Sequence, residues 1–131
     1  MTKKESIIVE DTVNIDAYLR VRFVSYWVRV NDATGGKEIV SKPSEMPEFE
    51  ISEKWILGKN NTYYYKTSVS PKDFTEELLA PGAVIQLAEE DGYRQVIEVF
   101  AEAIQSKPSS YVENSWNVIV DKDGNIVGEK Q

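Results

Sequence analysis

Three groups of residues carry side chains that could do chemistry. Glu89, Glu90 and Asp91 are consecutive carboxylates just before Gly92. A carboxylate pair can hydrolyse a glycoside, and activity would then rest on single members of the group. The pair must, however, face each other across a cleft. Neighbours in one turn do not, so the plainer reading is an exposed acidic turn. Asp121-Lys122-Asp123-Gly124-Asn125 opens like a calcium loop. The full loop needs further oxygen ligands, a late glutamate and flanking helices, whereas Asp-Gly-Asn serves equally as a hairpin turn. The third group is aromatic. Trp55 and the run Tyr63, Tyr64, Tyr65, with Trp27 and Trp116 elsewhere, could stack on sugar rings. The competing reading is core, because one face of each strand must be buried. Neighbours along a strand alternate, so at least one tyrosine of the run is expected to point outward.

Composition removes most other chemistry. The chain has no cysteine and no histidine. That excludes disulfides, thiolate nucleophiles, Cys or His metal sites, and triads or proton shuttles that use imidazole. No Gly-rich phosphate loop, Walker lysine or nucleophile elbow occurs. The expectation is therefore no catalytic residue, no metal and no cofactor.

Charge and length narrow the partners. The 131 residues are the size of one domain and enough to bury a core. The net charge of −7 would be repelled by a phosphate backbone, so nucleic acid is not an expected partner. Residues 1–66 hold ten basic and ten acidic side chains, and residues 67–131 hold five and twelve, so the whole surplus lies in the second half. It reads as a solvated acidic surface, with a cation- or partner-facing patch as the sharper alternative. No apolar run approaches the ~20 residues that span a bilayer. The start, MTKKES, has the lysines of a signal n-region without an apolar stretch behind it.

The elements that must position these residues are mostly strands. From Ala17 to Val30, Ala17, Leu19, Val21, Phe23 and Trp27 fall on one face, and Tyr18, Arg20, Arg22, Val24 and Tyr26 on the other. Period two over such a length predicts a long strand with one buried face, its arginines solvated or stacked on Tyr18 and Tyr26. Asn31–Lys37 reads as a turn, and Pro43 and Pro47 keep the next stretch extended and irregular. Short strands follow around Phe49 and Ile51, at Trp55–Leu57, over Thr62–Val69 and at Ala83–Ala88, with a turn at Gly58–Asn61. Asp73–Leu79 reads as one or two helical turns or a tucked loop. Over Tyr93–Gln105, Val96, Phe100 and Ile104 stand four apart, and on the residues alone a helix is the stronger reading. A strand would place Ile97, Val99, Ala101 and Ala103 on one face. Ser115–Val120, the Asp121–Asn125 turn and Ile126-Val127 predict a closing hairpin. Many short strands without βαβ alternation predict an all-β sandwich.

Asn14-Ile15-Asp16-Ala17-Tyr18-Leu19-Arg20-Val21 resembles the N-x-D-A-Y-x-R-V strand of the TasA/camelysin family, exported proteins released by the SipW-type signal peptidase. Lys54-Trp55, Tyr63-Tyr64-Tyr65-Lys66, a P-x-x-x-T-x-x-L-L loop from Pro71 to Leu79, Ala101-Glu102-Ala103-Ile104-Gln105 and a late Trp116 follow in the order of that family. The resemblance covers about residues 7–117. The acidic segment Glu45–Glu53 and the tail Asp121–Gln131 match no motif of it.

The resemblance implies a jelly-roll-like antiparallel β-sandwich with short helical turns in loops, and so a strand over Tyr93–Gln105. It implies a single domain over residues 1–131, with the signal absent and the upstream strand missing or shortened. It further implies a secreted or cell-surface structural protein of the biofilm matrix in Gram-positive bacteria. In that family a subunit's N-terminal strand completes its neighbour's sandwich, so the expected partners are further copies or related matrix subunits, with cell-wall glycan as another. The expected assembly edge comprises Ile7, Ile8 and Val9 together with Ala17, Leu19, Val21 and Phe23 of the long strand. Camelysin has been classed as a metallopeptidase; without histidine or His-Glu-x-x-His this chain lends that activity no chemical support, and no enzymatic function is expected. Two other readings remain at this stage: a carbohydrate-binding sandwich using Trp55 and Tyr63–Tyr65, and an exported domain with no role in assembly.

Overall fold

Alternation of side chains from Ala17 onward makes one long strand, and the remaining elements are arranged around it. The computed structural model describes residues 3–31 and 36–131, and over 30–42 only the backbone pairing. In chain order the elements are β1 (Lys3–Lys4), β2 (Ala17–Asn31), β3 (Gly36–Pro43), β4 (Trp55–Leu57), β5 (Thr62–Tyr65), β6 (Ile85–Gln86), β7 (Glu89–Glu90), β8 (Tyr93–Gln105), α1 (Ser110–Trp116), β9 (Val118–Val120) and β10 (Ile126–Glu129). The expected turn at Asn31–Lys37 lies largely outside the described residues. Strand β3, where irregular chain is expected, pairs with the far end of β2.

The fold is all-β, antiparallel and sandwich-like. Its main sheet runs β4-β5-β2-β8-β7, with β3 also pairing β2. Strand β2 pairs with β8 from Ala17–Gln105 to Arg29–Tyr93. That pairing settles Tyr93–Gln105 as a strand rather than a helix, as the resemblance implies. Val96, Phe100 and Ile104, four apart, share a strand face as readily as a helix face, and a long partner strand decides between them. The second layer is looser. The segment 7–11 runs antiparallel to 72–78, β1 pairs with β6, and Ile51 bridges to Leu79. Asp73–Leu79 is thus extended chain rather than helical turns.

Each face of the main sheet has its own core. On one face Ala17, Leu19, Val21, Phe23, Trp55, Tyr63 and Tyr65 pack against Ile7, Leu78, Leu79, Ile85 and Leu87 of the second layer. Phe23 meets Phe49 and Tyr63 edge-on, with ring centroids 5.8 and 5.5 Å away. A buried side chain of this size stabilises the fold by roughly 1.5–3 kcal/mol. On the other face Tyr18 and Tyr64 are covered by Val112 and Trp116 of α1 and by Val118 and Ile126 of the β9–β10 hairpin. The expected hairpin is present, and α1 before it is an addition.

Hydrogen bonds hold this C-terminal cover down, among them Ile126 N to the Lys66 carbonyl at 2.8 Å. Tyr18 Oη donates to the Gly124 carbonyl at 2.6 Å, Tyr64 Oη to Glu129 Oε2 at 2.7 Å, and Lys59 N to Glu129 Oε1 at 2.8 Å. Gly58 permits the approach, since a Cβ there would stand 2.6 Å from both Glu129 Oε2 and Tyr64 Cε2.

Candidate assembly edge

Strand β8 has β2 along one side. On its other side β7 reaches only Tyr93 and Arg94, with one more bond from Gln95 N to the Ala88 carbonyl. From Val96 to Gln105 no strand lies along that side among the described residues. A row of free N–H and C=O groups on an edge this long is a template for another strand.

The inner face of the same stretch is only partly covered. Ile97 is buried and Val99 half-buried, whereas Ala101 and Ala103 are exposed. Nearby in sequence to the start of β2, Val13 and Ile15 are exposed as well. On the outer face Phe100 is exposed with Arg22 lying 5.6 Å from its ring centroid, and Tyr26 Oη donates to Glu98 at 2.8 Å. That bond raises the tyrosine's pKa above its ordinary value.

The expected edge along Ala17, Leu19, Val21 and Phe23 is corrected by these pairings. Strand β2 is central. Beyond β8 it pairs with β5 at Arg20–Arg22, exchanges hydrogen bonds between Ala17 and Val69 at 3.0 and 2.8 Å, and meets β3 at its far end. All four side chains are buried in the core. Ile7, Ile8 and Val9 sit instead on the second layer: Ile7 is buried, Val9 half-buried and Ile8 exposed.

The aromatic platform is corrected too. Trp55, Tyr63, Tyr64 and Tyr65 are all between 2 and 7 % exposed. Alternation does send Tyr64 to the opposite face, but Trp116 and the hairpin cover it there, with ring centroids 6.1 Å apart. Burial raises the pKa of Tyr63, and burial followed by the bond to Glu129 pushes Tyr64 up to about 12. Arg20 stacks on Trp116 at 4.5 Å and pairs with Glu102 at 3.2 Å, rather than lying on Tyr18 or Tyr26.

The carboxylate groups have structural places. Glu89, Glu90 and Asp91 form the tip of the β7–β8 hairpin, turned by positive φ at Asp91 (47°) and Gly92 (82°). They are exposed and share one turn rather than facing across a cleft. Asp121 Oδ1 accepts from Asp123 N and Asn125 N, both at 2.9 Å, so the loop closes on its own carboxylate. Among the described residues no cluster of three or more acidic side chains could hold a metal ion. A groove of about 760 Å³ lies between Ile51–Lys54 and Glu76–Val84. Its Glu77 accepts from Ile7 N and Leu79 N, and its Glu76 from Tyr65 Oη.

No helix among the described residues is long and apolar enough to cross a membrane. No protein-family model matches the chain, and neither a curated protein nor a solved structure does.

Proposed function

We propose that this chain is an exported structural protein of the cell surface or biofilm matrix, similar to the TasA/camelysin proteins, which works by assembly and not by catalysis. Its assembly site is the free edge of β8 from Val96 to Gln105. There an extended strand from another copy or a related subunit adds to the sheet and covers Ala101 and Ala103. The observation that carries this reading is the coincidence of an unpaired edge with an uncovered inner face on the same strand. Either alone is ordinary; together they describe a sandwich open at one position. The ordered motifs from Asn14 to Gln105 support the matrix role.

Light scattering and negative-stain microscopy over a concentration series test it. The wild-type chain should grow into fibres or oligomers larger than a dimer. Ala101→Lys, which sets a charge beside the edge, should stop that growth and leave the fold intact. Growth that is equal in both forms, or absent from the wild type, contradicts the reading.

A further inference from the structure

We propose that the groove between Ile51–Lys54 and Glu76–Val84 binds a small organic cation, an ammonium group carried on an apolar body. The site is apart from the β8 edge and does not rest on it. Its floor is apolar: Ile51 bridges to Leu79, and half-buried Ala83 and Val84 line it with them. Its volume of about 760 Å³ falls in the range of small-molecule cavities. The walls are bonded to each other, Ser52 N to the Leu78 carbonyl at 2.8 Å and Ala80 N to the Glu50 carbonyl at 3.0 Å. Those backbone groups are spent, so recognition falls to side chains rather than to an added strand.

Charge identifies the ligand. Glu5, Glu53, Glu76 and Glu77 line the groove against one cation, Lys54, which lies 3.8 Å from Glu76. Glu77 is the anchor. Its side chain is half-buried, and its Oε2 accepts from Ile7 N at 2.6 Å and Leu79 N at 3.3 Å. Among the described residues nothing donates to its Oε1. The backbone behind it is fixed as well, because Ser52 Oγ and Trp55 Nε1 donate to the Glu77 and Glu76 carbonyls at 2.9 and 3.0 Å. A carboxylate held in this way offers an ammonium donor a strong acceptor with little further ordering, beside a wall that takes an apolar body. The acidic side chains are spread along the groove, and among the described residues no group of three or more could hold a metal ion. A calcium ion needs roughly six to eight converging oxygens; an organic cation needs one acceptor and an apolar wall.

Titration of the full chain with phenylbutylamine, followed by amide chemical shifts, tests the site. Saturable shifts are expected at Ile51–Lys54 and Glu76–Val84 and not along β8. Phenylbutyrate, the same body with the opposite charge, should not bind. Butylamine, which lacks the ring, should bind roughly tenfold more weakly or worse. Glu77→Gln keeps an acceptor for Ile7 N and Leu79 N while removing the charge, and should lower the affinity about tenfold. Glu53→Gln changes an exposed side chain that the fold does not use, and should lower it several-fold. Absence of saturable shifts in the wild type, equal binding of the amine and the carboxylate, shifts centred outside the groove, or an affinity unchanged by either substitution overturns the proposal.

Discussion

Leu19 and Ala103 are register partners on one face of the main sheet, yet Leu19 is 1 % exposed and Ala103 lies open to solvent. Val21 and Ala101 repeat the relationship one step along. The second layer covers β2 and stops short of the distal half of β8. Because that strand also has a free outer edge there, the uncovered strip and the unpaired backbone fall on the same residues. The position of the proposed assembly site follows from this.

Central placement of β2 gives the first prediction. Proline at Val21 and proline at Arg22 remove amides that point to opposite sides of the strand, and both sides are paired. Each substitution should therefore destabilise the fold, by roughly 2–4 kcal/mol in urea unfolding. Tolerance of either one would return β2 to an edge.

The C-terminal cover gives the second. Trp116 is 8 % exposed, packs on Tyr64 and carries the stacked Arg20 guanidinium. Trp116→Ala should cost about 3 kcal/mol by thermal or urea unfolding. Gly58→Ala should cost roughly 1–3 kcal/mol, because its Cβ would collide with the Tyr64–Glu129 pair. A neutral Gly58→Ala would mean that this pair is not held where the fold places it.

Tyr64 sets a pH dependence. Its folded pKa of about 12 lies above the ordinary 10.0, through burial first and the Glu129 bond second. The protonated hydroxyl therefore favours the folded state. That contribution is whole below pH 10 and is lost as pH rises toward 12. Stability measured by urea unfolding should fall through this window in the wild type and fall less in Tyr64→Phe. The variant should also lose about 1 kcal/mol at neutral pH with its hydrogen bond. Parallel pH profiles for the two proteins would contradict the assignment.

Burial of Trp55 and Tyr63–Tyr65 predicts that soluble cell-wall glycans leave tryptophan fluorescence unchanged. Saturable quenching that is lost in Trp55→Phe would show a platform the fold does not present.

Side-chain pattern made β2 legible, because alternation over its length fits only a strand with one buried face. The same pattern is silent on whether a strand is central or at an edge. That depends on where backbone groups find partners, and for β2 these come from residues as distant as Tyr64 and Gln105. Tyr64 shows a second limit. Its outward direction follows from alternation, but its burial depends on Trp116 and Ile126 folding back from far along the chain. Strand β8 is ambiguous for a physical reason, since its four-residue spacing satisfies both periods. Helix α1 had a faint signal in Val112 and Trp116, four apart and both buried. Its single pair of turns is too short for periodicity to declare.

Hydrogen exchange across β8 tests the central claim most directly. In the unassembled chain the edge-facing amides between Val96 and Gln105 should exchange fast, while the alternate amides bonded to β2 exchange slowly. On assembly the fast set should become protected together, each slowing by on the order of a hundredfold or more. Assembly that leaves those amides fast, with new protection elsewhere, would contradict the β8 edge as the site.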